Sequence, residues 1–188
     1  MNSGINNASF YRKHLSIFFV TFSSVLHYNI RVSSFDSFYR KYKDRLFAYL
    51  MRKTGDYSLA SDLLQESFTR YLEHYGDREQ NAALLYTIAR NQTIDALRKQ
   101  ARMPHLPLEL DLQGGDTERY LMVRDEYRRV LEAFQKLDDD ERDVLALAVG
   151  KDLVYREIAA VVGISEANVK VKIHRARVKL RDIIRKGV

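Results

Sequence analysis

The chain has 188 residues, 46% of them hydrophobic, with two prolines, eight glycines and a net charge of +6. That composition fits one or two globular, helix-rich domains and excludes an intrinsically disordered chain. Cysteine is absent, which removes disulfides, thiolate zinc sites and cysteine nucleophiles together. The charge is unevenly placed: residues 1–34 carry +3, residues 35–103 carry +3, residues 104–143 carry −6 and residues 151–188 carry +6. Two basic blocks flanking an acidic one suit two polyanion-facing modules joined by a segment that repels the polyanion; ordinary scatter of surface charge fits the same numbers.

Residues 1–34 stand apart. "RKHLSIFFVTFSSVL" sets two basic residues before an apolar run, and no acidic residue precedes Asp36. The arrangement is that of a signal peptide, without a small-residue cleavage pattern. The run is also too short and too rich in Ser and Thr for a membrane span, which needs about 20 apolar residues. The expectation is that the working protein begins near Val32 and that translated upstream sequence precedes it.

From Phe35 to Arg102 the apolar positions recur at three and four, as in amphipathic helices. Phe35, Phe38, Tyr42, Leu46, Tyr49 and Leu50 define a first helix, and "KTGDYS" breaks it. A second helix, opening near Ser58, puts Ala60, Leu63, Leu64, Phe68, Tyr71 and Tyr75 on one face and Asp62, Gln65, Glu66, Thr69 and Glu73 on the other. After "YGDREQN", a third helix has Leu84, Leu85, Ile88, Ile94 and Leu97 as its apolar stripe. "MPHLPLELDLQGGDTE" holds both prolines and a Gly pair and reads as a linker. A second bundle then opens with "RYLMVRDEYRRVLEAFQKL". In "DDDERDVLALAVG" Asp138 is placed to cap a helix and Glu141 to complete a capping box.

The C-terminal part carries the clearest motif. In "YREIAAVVGISEANVKVKIHRARVKL" a short helix with Ile158, Ala159 and Val162 inward stops at Gly163, Ile164 fills the corner and Ser165 caps the next helix. That helix is expected to bury Val169, Ile173, Ala176, Leu180 and Ile184. Two short helices, a glycine turn and an apolar corner are the grammar of a helix-turn-helix, whose second helix enters the major groove. Ala167, Lys170, Val171, His174, Arg177, Val178 and Arg181 then face away from the core. Lys170 and Arg177 have the reach to donate to guanine or phosphate, and Val171 suits a thymine methyl. Lys172, Arg175 and Lys179 lie on the flank that suits phosphates.

Taken together, "LASDLLQESFTRYL", "YTIARNQTIDALRKQAR", the acidic linker, "LDDDERDVLAL" and the helix-turn-helix resemble a sigma-70 family RNA polymerase sigma factor of the extracytoplasmic-function type, over about residues 35 to 186. The resemblance implies an all-α protein of two helical domains joined by a flexible linker. Residues 35–102 would be sigma region 2, residues 103–122 the linker and residues 123–188 sigma region 4, after an extension at residues 1–34. It implies a factor without catalysis or cofactor that binds core RNA polymerase and directs it to promoter DNA, acting in the cytoplasm.

By the same resemblance Asp62, Leu63, Gln65 and Glu66 dock the clamp helices of the polymerase largest subunit, and region 4 meets the flap. Arg78, Asn81, Arg90, Asn91, Asp95 and Arg98 meet and help melt the minus-ten element, with Tyr75 and Tyr86 as candidate platforms for an unstacked base. Ser165, Glu166, Asn168, Lys170, Val171, Lys172, His174, Arg175 and Arg177 meet the minus-thirty-five element. An anti-sigma factor is an expected further partner; a small-molecule substrate and an obligate homo-oligomer are not. Three features depart from the family. There is no tryptophan near "IARN", Asn168 stands where a hydroxyl residue is usual, and the leader before Phe35 is foreign to it.

Two other readings fit parts of the chain: a one-component regulator whose N-terminal bundle senses a ligand, and a membrane-anchored interaction protein using residues 15–30. The five histidines, His14, His27, His74, His105 and His174, have no close metal-ligand spacing, and there is no glycine-rich phosphate loop.

Overall fold

A computed structural model of the protein describes residues 32–76, 80–102 and 118–187, with side chains described from Phe35, Gln80 and Asp125 onward in the three stretches. The described residues form helices and no strand: α1 (Val32–Thr54), α2 (Tyr57–Tyr75), α3 (Ala82–Gln100), α4 (Glu118–Gln135), α5 (Asp139–Val149), α6 (Tyr155–Val162) and α7 (Glu166–Lys186). The leader, Arg78 and most of the expected linker lie outside the described residues.

The helices α1, α2 and α3 pack on one another around an aromatic core. Phe38 of α1 stacks on Tyr71 at 5.1 Å between ring centroids and meets Phe68 edge-on at 6.3 Å. Asp56 caps α2, its side chain accepting from the Leu59 N–H at 3.0 Å, so this helix begins at Tyr57. Along α3 the buried stripe is Leu85, Tyr86, Ala89, Gln92 and Thr93. Ile94 and Leu97 are only half-buried, because the stripe leaving Leu85 follows the helical period through Ala89 onto two polar residues. The Ser67 hydroxyl of α2 donates to Gln92 Oε1 at 2.6 Å while Gln92 Nε2 is buried without a hydrogen-bond partner, and the Thr93 hydroxyl donates to the Ala89 carbonyl at 2.7 Å.

The second bundle joins α4, α5, α6 and α7. Arg142 closes its first turn, donating to the carbonyls of Phe134, Gln135 and Leu137 at 3.0, 2.7 and 2.9 Å. One side chain thereby satisfies the carbonyls that the end of α4 leaves open. Arg142→Ala is expected to lower the unfolding free energy by about 2 kcal/mol, the usual size for charge-assisted bonds whose partners are left without a donor; urea unfolding measures it.

The expected capping box at the start of α5 does not form. Asp138 sits at the N-cap without a side-chain bond to the helix, because its carboxylate and that of Glu141 both turn to Lys179 of α7, at 2.6 and 2.7 Å. Gly163 ends α6 in the left-handed region at φ 74°, its N–H donating to the Ala159 carbonyl at 2.9 Å, so a glycine is needed in the turn. Val161 rather than Val162 is the buried residue of that last turn.

The two bundles share one apolar core and meet along a seam that also carries polar side chains: α1 packs on α4 and α5, and α3 packs on α6. Asp143 of α5, 4% exposed at its side chain, accepts from the Tyr49 hydroxyl at 3.0 Å and from Arg90 Nε at 2.5 Å, with Lys53 Nζ at 3.4 Å. Asp152, just before α6, accepts from the Tyr86 hydroxyl at 2.9 Å and pairs with Arg45. Arg52 donates to the Ala146 carbonyl at 3.1 Å, and Gln135 donates to the Arg52 carbonyl at 3.1 Å. Burial, and then the neighbouring carboxylate, pushes both phenols up: Tyr49 beside Asp143 and Tyr86 beside Asp152. Both tyrosines therefore act as neutral donors at any physiological pH.

Candidate polymerase and promoter interfaces

Asp62, Gln65 and Glu66 are exposed on the face of α2 that turns away from α1 and α3. Leu63, expected beside them, is 4% exposed and belongs to the core. One residue's rotation of about 100° from Asp62 carries it to the inner face, so it holds the helix rather than offering a contact. Glu66 pairs with Arg70 at 2.6 Å while both side chains stay about half exposed. A surface pair of that kind is worth under about 1 kcal/mol and yields readily to a better partner.

On α3, Asn91, Asp95 and Arg98 are exposed, and their spacing of four and three places them in one row. Arg90 is displaced from that row. It is 21% exposed and engaged with Asp143 in the seam, a departure from the expected free surface arginine. Asn81 is exposed but caps α3, its side-chain oxygen accepting from the Leu84 N–H at 3.2 Å while its own N–H donates to the Tyr71 hydroxyl. Of the two candidate aromatic platforms, Tyr86 is 2% exposed and bonded to Asp152, whereas Tyr75 is 38% exposed at the end of α2. Of the pair, Tyr75 is the one in a position to stack on a base.

The helix α7 buries Val169, Ile173 and Ala176 against its bundle. The stripe continues through Leu180 to Ile183, whereas Ile184, expected inward, is 45% exposed; the buried spacing alternates four and three, which selects the residue before it. Ser165 caps the helix, accepting from the Asn168 N–H at 3.2 Å. Outward stand Glu166, Asn168, Lys170, Val171, His174, Arg175 and Arg177, with Lys170 held loosely by Glu166 at 2.9 Å. Val171 is 47% exposed, an apolar group that the core has no use for.

Two cations expected at phosphates are engaged by the protein itself. Lys172 bonds Asp140 at 3.0 Å, and Lys179 bonds Asp138 and Glu141, because that flank of α7 lies against the acidic start of α5. Lys179 holds the Asp138 carboxyl below the usual carboxylate range, and the two carboxylates raise Lys179 in turn. Of the cations expected at the minus-thirty-five element, Lys170, Arg175 and Arg177 are exposed without an ion pair to another helix among the described residues, whereas Lys179, itself half exposed, is tied to α5.

Sequence reasoning missed the seam residues Arg45, Arg52, Lys53, Gln135, Asp143 and Asp152. The signal for one was present: Asp143 falls on the buried face of α5, which also holds Val144 and Leu147, and a carboxylate there requires a partner.

A capped helix with a basic outer face, set behind a glycine turn in a second helical bundle, defines a helix-turn-helix DNA-binding unit packed against a three-helix body. Family models for Sigma-70 region 2 and Sigma-70 region 4 match residues 38–103 and 127–180. The chain is 33% identical over 159 residues to the ECF RNA polymerase sigma factor SigM of Bacillus subtilis, covering 81% of this chain and 96% of that one. It is 29% identical over 164 residues to the RNA polymerase sigma factor YlaC of the same species, covering 82% and 94%. Among solved structures it resembles the sigma factor RpoE of Bartonella quintana in complex with the anti-sigma factor NepR, with TM-score 0.63, 20% identity and coverage of 82% and 98%. CnrH in complex with the cytosolic domain of CnrY gives TM-score 0.62, 22% identity and coverage of 82% and 89%.

The chain belongs to the sigma-70 family, in its extracytoplasmic-function group, and is a promoter-directing factor of transcription initiation. The reading as a one-component regulator falls with that assignment. The membrane-anchor reading rests on residues 15–30, which lie outside the described residues; no helix among the described residues is long and apolar enough to cross a membrane.

Proposed function

We propose that the two bundles divide the work of initiation, residues 35–102 docking core RNA polymerase and opening the minus-ten element and residues 123–188 reading the minus-thirty-five element. The observation that carries this reading is the pair of exposed polar rows, Asn91–Asp95–Arg98 on α3 and Lys170–Val171–His174–Arg177 on α7. Each stands on a helix whose opposite face is locked in a core. Asp62, Gln65 and Glu66 form the docking surface, where carboxylates and an amide suit the arginines of a partner coiled coil. Asn91 and Arg98 donate to bases and phosphates, Arg78, Asn81 and Arg90 join them, and Asp95 orients Arg98. Tyr75 stacks on the base extruded from the non-template strand.

On α7, Lys170 and Arg177 address base edges or phosphates, Val171 a thymine methyl, and Asn168, His174 and Arg175 the neighbouring backbone. Ser165 and Glu166 orient the helix start, and Lys172 braces the helix against α5. The factor positions the polymerase and performs no catalysis itself. It acts in the cytoplasm, where an anti-sigma factor that covers these faces would hold it inactive.

Permanganate footprinting of a promoter with core polymerase tests the central step. Reactive thymines in the minus-ten element are expected only when the factor is present, and Arg98→Ala should reduce them about tenfold, the loss of one good contact. Reactivity unchanged by the factor would remove the melting assignment.

A further inference from the structure

Four consecutive acidic residues, Asp138 to Glu141, open α5. Carboxylates in a first helical turn are favoured by the helix's own dipole, and Asp139 stays with its helix, pairing with Arg142 at 3.3 Å. The other three reach across to α7. Asp140 bonds Lys172 at 3.0 Å, and Asp138 and Glu141 bond Lys179 at 2.6 and 2.7 Å. Lys172 and Lys179 are two helical turns apart, so both stand on the flank of α7 that faces α5. Glu141 and Lys179 line one cleft with His174 and Arg175, which sets the acidic turn directly beside the expected promoter face.

Resting on the reading of α7 as the minus-thirty-five helix, we propose that Asp138 and Asp140 restrain the hold of this helix on non-promoter DNA, by neutralising Lys172 and Lys179 that would otherwise bind phosphates. Sequence-independent binding is carried by cations that displace counterions from the phosphate backbone. A lysine paired with carboxylates presents little net charge to a duplex, and three carboxylates facing two lysines give this cluster a net charge of −1. Lys170 and Arg177 are not tied to α5, so the base-reading row is untouched. The pairs add little to the fold, since the Asp138 and Asp140 side chains are 73% and 80% exposed and exposed pairs are weak stabilisers. Their consequence lies in the charge they cancel. Non-promoter sites outnumber promoters by roughly a million to one or more, so a weaker hold on phosphates leaves more of the factor free for polymerase.

Titration of the full chain into a fluorescein-labelled duplex of scrambled sequence, read by anisotropy across a salt series, tests this. Asp138→Asn combined with Asp140→Asn removes two of the carboxylates and keeps a good N-cap residue at position 138. Glu141 is left in place, because its side chain is only 11% exposed. The double variant should bind the scrambled duplex about tenfold more tightly at ~0.1 M salt, with a log–log salt slope steeper by about one to two units. Adding Lys172→Gln and Lys179→Gln to it should abolish both gains, which separates release of these lysines from a general loss of negative charge.

Circular dichroism and urea unfolding establish that the variants keep their helices. If Asp138→Asn loosens α5, Asp140→Asn alone lies beyond the cap and frees Lys172. It should steepen the slope by about one unit, an effect lost again with Lys172→Gln. Affinity and slope unchanged by the aspartate substitutions, or a gain that persists without the two lysines, would overturn the proposal. Holoenzyme that binds duplexes with and without a minus-thirty-five element equally would sink the reading of α7 instead, which the free-chain salt slopes do not depend on.

Discussion

Replacing Lys170 and Arg177 together with alanine is expected to lower use of a minus-thirty-five element by about 100-fold while holoenzyme still forms. Each good contact to a base is worth about 1 to 3 kcal/mol, and about 1.4 kcal/mol corresponds to tenfold. Both side chains are exposed, and among the described residues the ion pair lost is the surface pair of Lys170 with Glu166, so the fold of the second bundle should be unchanged. Removing two phosphate-competent cations should also flatten the salt dependence of promoter binding, by about one unit of log–log slope for each. Binding measured across a salt series on templates with and without the upstream element separates the two components. A variant that weakens all templates equally and flattens the slope made phosphate contacts only; one that loses discrimination made base contacts.

The second large effect is expected on α2. Asp62→Lys combined with Glu66→Lys should weaken binding to core polymerase by about 100- to 1,000-fold, because the loss of a charge pair at an interface costs about 2 to 5 kcal/mol and reversal adds repulsion. Helix stability should change little. Glu66→Lys replaces the ion pair with Arg70 by two cations one turn apart, a penalty of about 0.5 kcal/mol. Titration of core polymerase with labelled factor reads the affinity, and thermal unfolding checks the fold. If affinity falls only as far as stability does, the α2 surface is not the docking face.

Much of the architecture was legible because helices obey a period. The breaks at Gly55 and Gly163, the outward row of α2 and the face of α7 around Lys170, Val171, His174 and Arg177 all follow from spacing, since a residue's side of a helix is set by its number. Errors arose where two residues compete for one slot or where a partner is distant in the chain. Ile183 and Ile184 are adjacent and equally apolar, and only the packed register selects the first.

Asp138 and Glu141 have the spacing of a capping box, but Lys179, far along the chain, offers a full positive charge where the helix start offers N–H groups alone. Lys172 is a similar case, drawn to Asp140 rather than left for DNA. The seam was the least legible part. Tyr49 reads as one more apolar position of α1 and Arg90 as a free basic residue, and nothing local to either announces Asp143, which lies more than fifty positions beyond Arg90 and is the partner of both.

The division of labour between the two bundles is tested most directly by run-off transcription with start-site sequencing, using core polymerase with the native factor, the Asp62/Glu66 double variant and the Lys170/Arg177 double variant. The native factor should give discrete starts preceded by shared minus-ten and minus-thirty-five sequences. The α2 variant should lose transcripts from every template through failure to form holoenzyme. The α7 variant should form holoenzyme and lose transcripts only where the upstream element is required. Starts that do not depend on the factor, or two variants that fail at the same step on the same templates, would contradict the account.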